Sequence, residues 1–108
     1  MVTVMEDKAI QLGETITLTG FGSEDGSTMV VVKKMVGNYV KKLADTIDGF
    51  QNIAITLKKI HQHEGKGGKN EIHVRMNASK LYTSEVTEFN LFVGLDKCFK
   101  KIVAESSA

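Results

Sequence analysis

A two-layer α+β sandwich, with elements in the order β-α-β-β-β-α, is the fold that this sequence predicts. Short segments with alternating apolar and polar residues are typical of half-buried strands. Two longer segments, at residues 29–47 and 91–102, place apolar residues at steps of three and four, which is typical of amphipathic helices. The 108 residues are enough for one ordinary domain and one hydrophobic core.

The first strand and the first helix surround a glycine-rich loop. Thr15–Thr19 alternates, and residues 20–27, GFGSEDGS, have the composition of a loop. The helix that follows has apolar residues at Met29, Val32, Val36, Tyr39, Val40, Leu43 and Ile47. Ser27 or Thr28 is the expected N-cap, and Asp48-Gly49 is expected to end the helix. The β-branched start of this segment is also compatible with a strand.

Three further strands and a last helix follow. Residues 53–57 and 72–76 alternate on either side of a predicted hairpin loop at 63–70, and residues 81–87 form a more polar strand. The last helix has Asn90 as its expected N-cap and an apolar face that includes Cys98. Because only one face of each strand is strongly apolar, both helices should cover the same side of a four-stranded sheet. The residues expected on the other face are Thr15, Thr17, Thr19, His73 and Arg75.

Charge is distributed unevenly, although the net charge is only +1. Residues 1–30 carry one lysine and five acids, a net charge of −4, whereas residues 31–104 carry thirteen basic residues and seven acids, a net charge of +6. The sequence therefore predicts a partly flexible acidic leader at 1–14, one domain at 15–105 and a frayed tail at 106–108. A basic body of this kind favours a polyanionic partner.

Several classes of protein are excluded by composition. No apolar run approaches the roughly 18–20 residues of a membrane helix, and the acids near the N-terminus do not fit a secretory signal. The single cysteine, Cys98, cannot form an internal disulfide, so a cytoplasmic location is expected.

Metal and enzyme sites are not expected. His61, His63, His73 and Cys98 lack the spacing of a four-ligand zinc site. The loop Gly65-Lys66-Gly67-Gly68-Lys69 is followed by asparagine and joins two strands, unlike a phosphate-binding loop. No nucleophile motif is present, and the pair Asp45 and Asp48 fits a solvated helix end. We expect no catalytic residues, no cofactor and no small-molecule substrate.

Basic helix faces are the strongest functional signal from charge alone. Lysines bind phosphates without reading bases, so a surface of lysines favours RNA recognised by shape and charge. Lysine-rich helix faces are also common without any ligand. The candidate RNA-binding residues on the two helices and the hairpin are Lys33, Lys34, Lys41, Lys42, Lys66, Lys69, Lys97, Lys100 and Lys101.

Several strings over roughly residues 15–104 resemble the family of ribosome hibernation-promoting factors and ribosome-associated translation inhibitors. Tyr39-Val40-Lys41-Lys42-Leu43 is similar to the Y-V-x-K-L core of the family's first helix. Asn90-Leu91-Phe92-Val93-Gly94-Leu95-Asp96 resembles the D-M-Y-x-A-I-D opening of its last helix. The strand strings that also match are Ile16-Thr17-Leu18-Thr19-Gly20, Ile53-Ala54-Ile55-Thr56-Leu57 and Asn70-Glu71-Ile72-His73-Val74.

This resemblance implies a fold like a double-stranded-RNA-binding domain with an added strand. It implies binding to the small ribosomal subunit in the channel used by tRNA and mRNA, inhibition of translation and protection of idle ribosomes. The family's rRNA contacts correspond to Lys41, Lys42, Lys97, Lys100 and Lys101, whereas Lys33, Lys34, Lys66 and Lys69 are candidates from charge placement alone.

The sequence departs from the family pattern in ways typical of a divergent, archaeal-like branch. It is longer between Gly20 and Tyr39 than the usual bacterial form, and Gly37 stands where a basic residue is common. The length predicts a short form without the additional C-terminal domain with which long members pair ribosomes.

Two other functions remain open. A general RNA-binding or stress module would bind RNA without ribosome specificity. A protein-interaction domain would use the apolar helix start, Met29–Val32, or the open sheet face.

Overall fold

The chain folds into a five-stranded mixed sheet with two helices, in a computed structural model that describes residues 9–60 and 68–107. The elements are β1 (Ile10–Leu12), β2 (Ile16–Thr19), α1 (Gly26–Thr46), β3 (Asn52–Ile60), β4 (Lys69–Asn77), β5 (Leu81–Glu88) and α2 (Leu91–Ser107). The strands lie in the order β1-β2-β3-β4-β5. Strands β2 and β3 are parallel and the other neighbours antiparallel. The predicted α+β class is confirmed.

The prediction of four strands is wrong, because β1 adds a fifth at the edge of the sheet. This strand lies in the segment predicted to be an acidic leader, and Gln11 pairs with Thr17 of β2 across a short turn. Ile10 and Leu12 pack against the core from this edge. A strand of three residues is too short to produce a recognisable alternation, so the pattern did not reveal it.

Helix α1 begins earlier than its apolar spacing suggested. Asp25 is the N-cap, rather than Ser27 or Thr28, because its carboxylate accepts a hydrogen bond of 2.7 Å from the Thr28 backbone N–H. The Ser27 hydroxyl donates to the same oxygen over 3.1 Å. The β-branched segment that could have been a strand is therefore helical. Helix α1 ends at Thr46, just before the predicted Asp48-Gly49 stop.

Helix α2 is capped as predicted. The Asn90 side chain accepts a hydrogen bond of 3.1 Å from the Val93 backbone N–H. The helix extends through Ser107, so part of the predicted frayed tail is helical, and the Ser106 hydroxyl donates to the Ile102 carbonyl over 2.7 Å. Over the described residues, neither helix combines the length and hydropathy needed to cross a membrane.

One hydrophobic core lies between the sheet and both helices. Strand residues that point to this side form one cluster with residues of both helices. The fully or almost fully buried members are Ile16, Leu18, Ile53, Ile55, Leu57, Ile72, Val74 and Met76 from the strands, Phe21 from the loop before α1, and Val32, Val36, Val40, Leu43, Leu91, Leu95, Cys98, Phe99 and Ile102 from the helices. By strand register, Thr17, Thr19, His73 and Arg75 lie on the opposite, open face, as predicted. Thr15 instead precedes β2.

Gly20 controls where the chain leaves β2 toward α1. Its φ of +89° lies in the region that favours glycine. A Cβ at this position would lie 2.0 Å from the carbonyl oxygen of Leu57 in β3, far inside van der Waals contact. Glycine therefore allows the chain to leave β2 in close contact with the backbone of β3.

Candidate nucleic-acid interface

Tyr39 joins the two helices on the side away from the sheet. Its ring stacks on Phe99 of α2, with ring centroids 4.9 Å apart and planes 5° from parallel. Its hydroxyl donates a short hydrogen bond to a carboxylate oxygen of Asp96. The outer surfaces of α1 and α2 are therefore neighbours, and their side chains can contact a single ligand.

The Tyr39–Asp96 contact fixes a negative charge between the helices. Burial and the neighbouring carboxylate together raise the pKa of Tyr39 to about 12, so its hydroxyl keeps its proton. The hydrogen bond from Tyr39, with help from Lys100, lowers the pKa of Asp96. Asp96 is consequently ionised at neutral pH, and the groove between the helices is not uniformly basic.

The lysines of α1 form the most strongly positive part of this surface. Lys33, Lys34, Lys41 and Lys42 are all exposed, and none pairs with a described acid. Four lysines against one acid, Asp45, give α1 a net charge of +3. At 100° per residue, Lys34 and Lys41 lie opposite the buried face of α1, about two turns apart, while Lys33 lies toward one flank.

Each lysine of α2 has an intramolecular partner. Lys97 pairs with Glu88 over 2.5 Å, and Lys100 pairs with Asp96 over 3.1 Å. The Lys101 ammonium donates to the Glu85 backbone carbonyl over 3.2 Å. Lys97 and Lys101 therefore contact β5, on the flank of α2 away from Tyr39, and only Lys100 lies beside the groove between the helices. The net charge of α2 is also lower than that of α1. Asp96 and Lys100 are four residues apart, so this ion pair could have been predicted from helical spacing in the sequence.

The hairpin lysines do not extend this surface among the described residues. Lys66 lies outside the described residues. Lys69 belongs to β4, and by register it lies on the open face of the sheet, opposite the helices. Its ammonium lies 5.3 Å from the centroid of the Phe89 ring.

A cleft between the helices adds hydrogen-bonding groups to the lysine surface. It has a volume of about 300 Å³ and is lined by Met35, Asn38, Tyr39, Lys42 and Asp96. The Lys42 ammonium can neutralise a phosphate, and the Asn38 amide can donate to a phosphate oxygen. The Asp96 carboxylate can accept a hydrogen bond from a ribose 2′-hydroxyl, a group that DNA lacks. This set of groups suits an RNA backbone.

The open face holds one group of metal-ligating side chains that the sequence pattern did not reveal. Glu71, His73 and Glu85 each place a ligand atom within 4.8 Å of the others. Glu71 lies 2.9 Å from Nε2 of His73, whereas Glu85 lies 3.9 Å from Nδ1. Because the carboxylates face opposite ring nitrogens, they hold the imidazole from two sides and do not converge with one nitrogen on a single ion. The other predicted histidines, His61 and His63, lie outside the described residues.

Cys98 lies in the core, away from any surface where a substrate could reach it. Its side chain is fully buried, and its sulfur lies 3.0 Å from the Ser84 hydroxyl. Burial raises the pKa of the Cys98 thiol, which disfavours the reactive thiolate. The arrangement is that of a structural cysteine.

Comparisons with known proteins assign no role to these residues. The chain matches no protein-family model, no curated protein and no solved structure.

Proposed function

We propose that this protein is a non-enzymatic, cytoplasmic ribosome-associated factor. It binds rRNA of the small ribosomal subunit through the outer surfaces of α1 and α2, and it inhibits translation or promotes ribosome hibernation. The observation that carries the proposal is the set of four exposed α1 lysines that pair with no described acid, with Lys100 of α2 next to the groove between the helices. Such a surface suits a phosphate backbone, whose contacts supply most of the affinity of a charge-driven interface.

The family-like strings of the first and last helices contact one another, which supports the proposal. Tyr39 comes from the first-helix string and Asp96 from the last-helix string, and they share the hydrogen bond that joins the helices. Part of the resemblance therefore corresponds to a packing requirement that sets the spacing of the two lysine groups. The order α1-β3-β4-β5-α2 also supports the proposed kinship with double-stranded-RNA-binding domains.

The ion pairs of α2 are compatible with RNA binding. Exposed pairs such as Lys97 with Glu88 contribute little to stability and are screened by salt. A phosphate that approaches α2 can therefore take over a lysine from its carboxylate at small cost. We infer that α1 supplies the larger share of the affinity for RNA, and that each α2 lysine contributes less to it than each α1 lysine.

Co-sedimentation with purified small subunits tests the proposal. Charge reversal at Lys34 and Lys41 should strongly reduce the bound fraction, and reversal at Lys97, Lys100 and Lys101 should reduce it further. The matched control reverses two exposed lysines away from the helices, Lys58 and Lys80, and should bind normally. Circular dichroism of each variant shows that the fold is intact. No co-sedimentation of the unmodified chain even at low salt would overturn the proposal.

A general RNA-binding module is the first alternative. The lysines and the Asp96 acceptor recognise an RNA backbone in any context, so the surface by itself does not require a ribosome. Equal affinity for naked duplex RNA and for intact small subunits would favour this alternative. A preference for intact subunits, with inhibition of translation in a cell-free system, would support the ribosomal function.

A protein-interaction domain is the second alternative, and one observation favours it. Val30 and Val31, at the start of α1, are 65% and 42% exposed. The open sheet face is less suited to such a role, since threonines and charged residues dominate it. A stable dimer that persists at high salt, together with no RNA affinity, would support this alternative.

A further inference from the structure

A second cleft lies at the end of the sheet where β3 and β4 meet the turn before α2. It has a volume of about 470 Å³ and is lined by Ser23, Lys59, Gly68, Asn70 and Phe89. None of these residues belongs to the proposed basic surface on the helices, so RNA binding by that surface does not account for this cleft.

Phe89 presents an aromatic ring to solvent beside a cation. It is 64% exposed in the turn between β5 and α2, although an apolar ring of this size would normally be buried. The ammonium of Lys69 lies 5.3 Å from the ring centroid. A planar ligand can therefore stack on the face of the ring that Lys69 does not cover, with the cation nearby. Exposed aromatic rings with adjacent basic groups are the usual stacking platforms for unpaired bases.

Asn70 supplies a hydrogen-bond acceptor at the same place. It is only 5% exposed, and its Nδ2 donates a hydrogen bond of 2.8 Å to the Phe89 carbonyl oxygen, which fixes the turn that carries the ring. Its Oδ1 accepts no hydrogen bond from any described residue. A buried acceptor without a donor is unfavourable, so a ligand with an N–H group gains from reaching it.

Lys59 adds a second cation to this cleft. Its ammonium pairs with Glu24 over 2.6 Å, which holds the side chain in place while leaving it 38% exposed. The lining of the cleft thus holds one cation paired with a carboxylate, and Lys69, outside the lining, places a second ammonium at the Phe89 ring. The excess positive charge suits a ligand that joins a planar base to an anionic group.

We propose that this cleft binds one unstacked ribonucleotide. The base stacks on Phe89, an exocyclic amino group of the base donates to Asn70 Oδ1, and the phosphate lies near Lys69 and Lys59. The inference rests on the proposed function in one respect: we assign the nucleotide to a single-stranded segment of the RNA that the protein binds. A free nucleotide offers the same chemistry, and the experiment separates the two sources.

Nuclear magnetic resonance of the labelled full chain provides the test. On titration with oligoadenylate of five nucleotides, the Phe89 ring signals and the Asn70 side-chain amide signals should shift. The variant Phe89→Ala should weaken binding about 5- to 100-fold, the range expected for loss of one stacked base. Leu81→Ala removes another apolar side chain, 52% exposed at the opposite end of β5, and should bind like the unmodified chain.

Changes in the ligand test the Asn70 contact without altering a buried residue. Replacing adenine by purine, which lacks only the amino group, should weaken binding. Equal affinity for both oligonucleotides would overturn the assigned amino contact. Free AMP should bind much more weakly than the oligonucleotide, and equal affinity would overturn the assignment to RNA. Identical shifts with an acidic peptide would overturn nucleotide recognition itself.

This test can fail independently of the proposed function. If small subunits bind both the unmodified chain and Phe89→Ala equally, and oligoadenylate shifts neither Phe89 nor Asn70, the nucleotide site is wrong while ribosome binding stands. If the shifts occur as expected but no subunits bind, the nucleotide site stands and the ribosomal function is wrong.

Discussion

At the scale of single residues, Tyr39 determines how the two helices meet. Its apolar position on the first helix was predictable from the spacing of its neighbours. Its hydrogen bond to Asp96 was not, because the two residues are 57 positions apart and neither local pattern specifies the other. The sequence therefore predicts that Tyr39 is partly buried, but the negative charge in the groove emerges only from the packing of α1 on α2.

Ionisation of Tyr39 provides the first prediction. The chain has two tyrosines, so Tyr82→Phe leaves Tyr39 as the only group that absorbs as tyrosinate. In this variant the phenol should ionise at about pH 12. Adding Asp96→Asn removes the carboxylate, so the pKa of Tyr39 should fall toward the ordinary value of 10. It should stay above 10 because burial of Tyr39 also raises the pKa. Ultraviolet titration measures both values.

The same shift predicts how stability depends on pH. Because folding raises the pKa of Tyr39, the protonated hydroxyl contributes fully to the free energy of unfolding below pH 10. This contribution is lost as the pH rises toward about 12. The free energy of unfolding of the Tyr82→Phe variant should fall across this window, and Tyr39→Phe should remove that component of the fall. An unchanged slope in the Tyr39→Phe variant would contradict the described contact.

At the scale of elements, the N-terminus of α1 shows what sequence patterns miss. Asp25, Ser27 and Thr28 are all good N-cap residues, so their identities could not decide between them. The fold decides, because it is the Asp25 carboxylate that accepts from the Thr28 N–H. Strand β1 was missed for a different reason, since three residues carry almost no periodicity.

The Asp25 cap predicts acid-sensitive stability. The hydrogen bond from the Thr28 backbone N–H lowers the pKa of Asp25 below its ordinary value of 3.8. Its stabilisation is therefore present above that value and lost as the pH falls through the lower value of the folded state. Asp25→Ala should lower the melting temperature at pH 7, and the difference from the unmodified chain should shrink in strong acid. Asp45→Ala, an exposed control on the same helix, should change the melting temperature much less.

Two glycines should respond in opposite directions to the same substitution. Gly20→Ala should destabilise the domain by at least about 1–3 kcal/mol from backbone conformation alone, with a further loss from the contact with Leu57. Gly37 lies inside α1, and a Cβ there would meet nothing within 4 Å. Gly37→Ala should therefore stabilise the domain by about 1 kcal/mol through helix propensity. Urea unfolding measures both changes, and a neutral Gly20→Ala would contradict the close approach of Gly20 to Leu57.

At the scale of the whole molecule, the sequence predicted the α+β class and the packing of both helices on one side of the sheet. Both depend on strong local periodicity in segments that bury one face, such as β3 and α1. The electrostatic surface was predictable only in part. The lysines could be placed on exposed faces, but the pairing of Lys97 with Glu88 depends on how α2 lies against β5. The cleft around Phe89 and Asn70 likewise requires three separate elements to meet.

The salt dependence of small-subunit binding tests the central claim most directly. If the α1 lysines neutralise phosphates, the logarithm of the association constant should fall linearly with the logarithm of salt concentration. Changing Lys34 and Lys41 to glutamine should reduce the steepness of that fall by about 1.4–1.8, or about 0.7–0.9 for each lost phosphate contact. The corresponding change at Lys58 and Lys80 should leave the slope unaltered. An equal slope for the α1 variant and the unmodified chain would contradict the proposed interface.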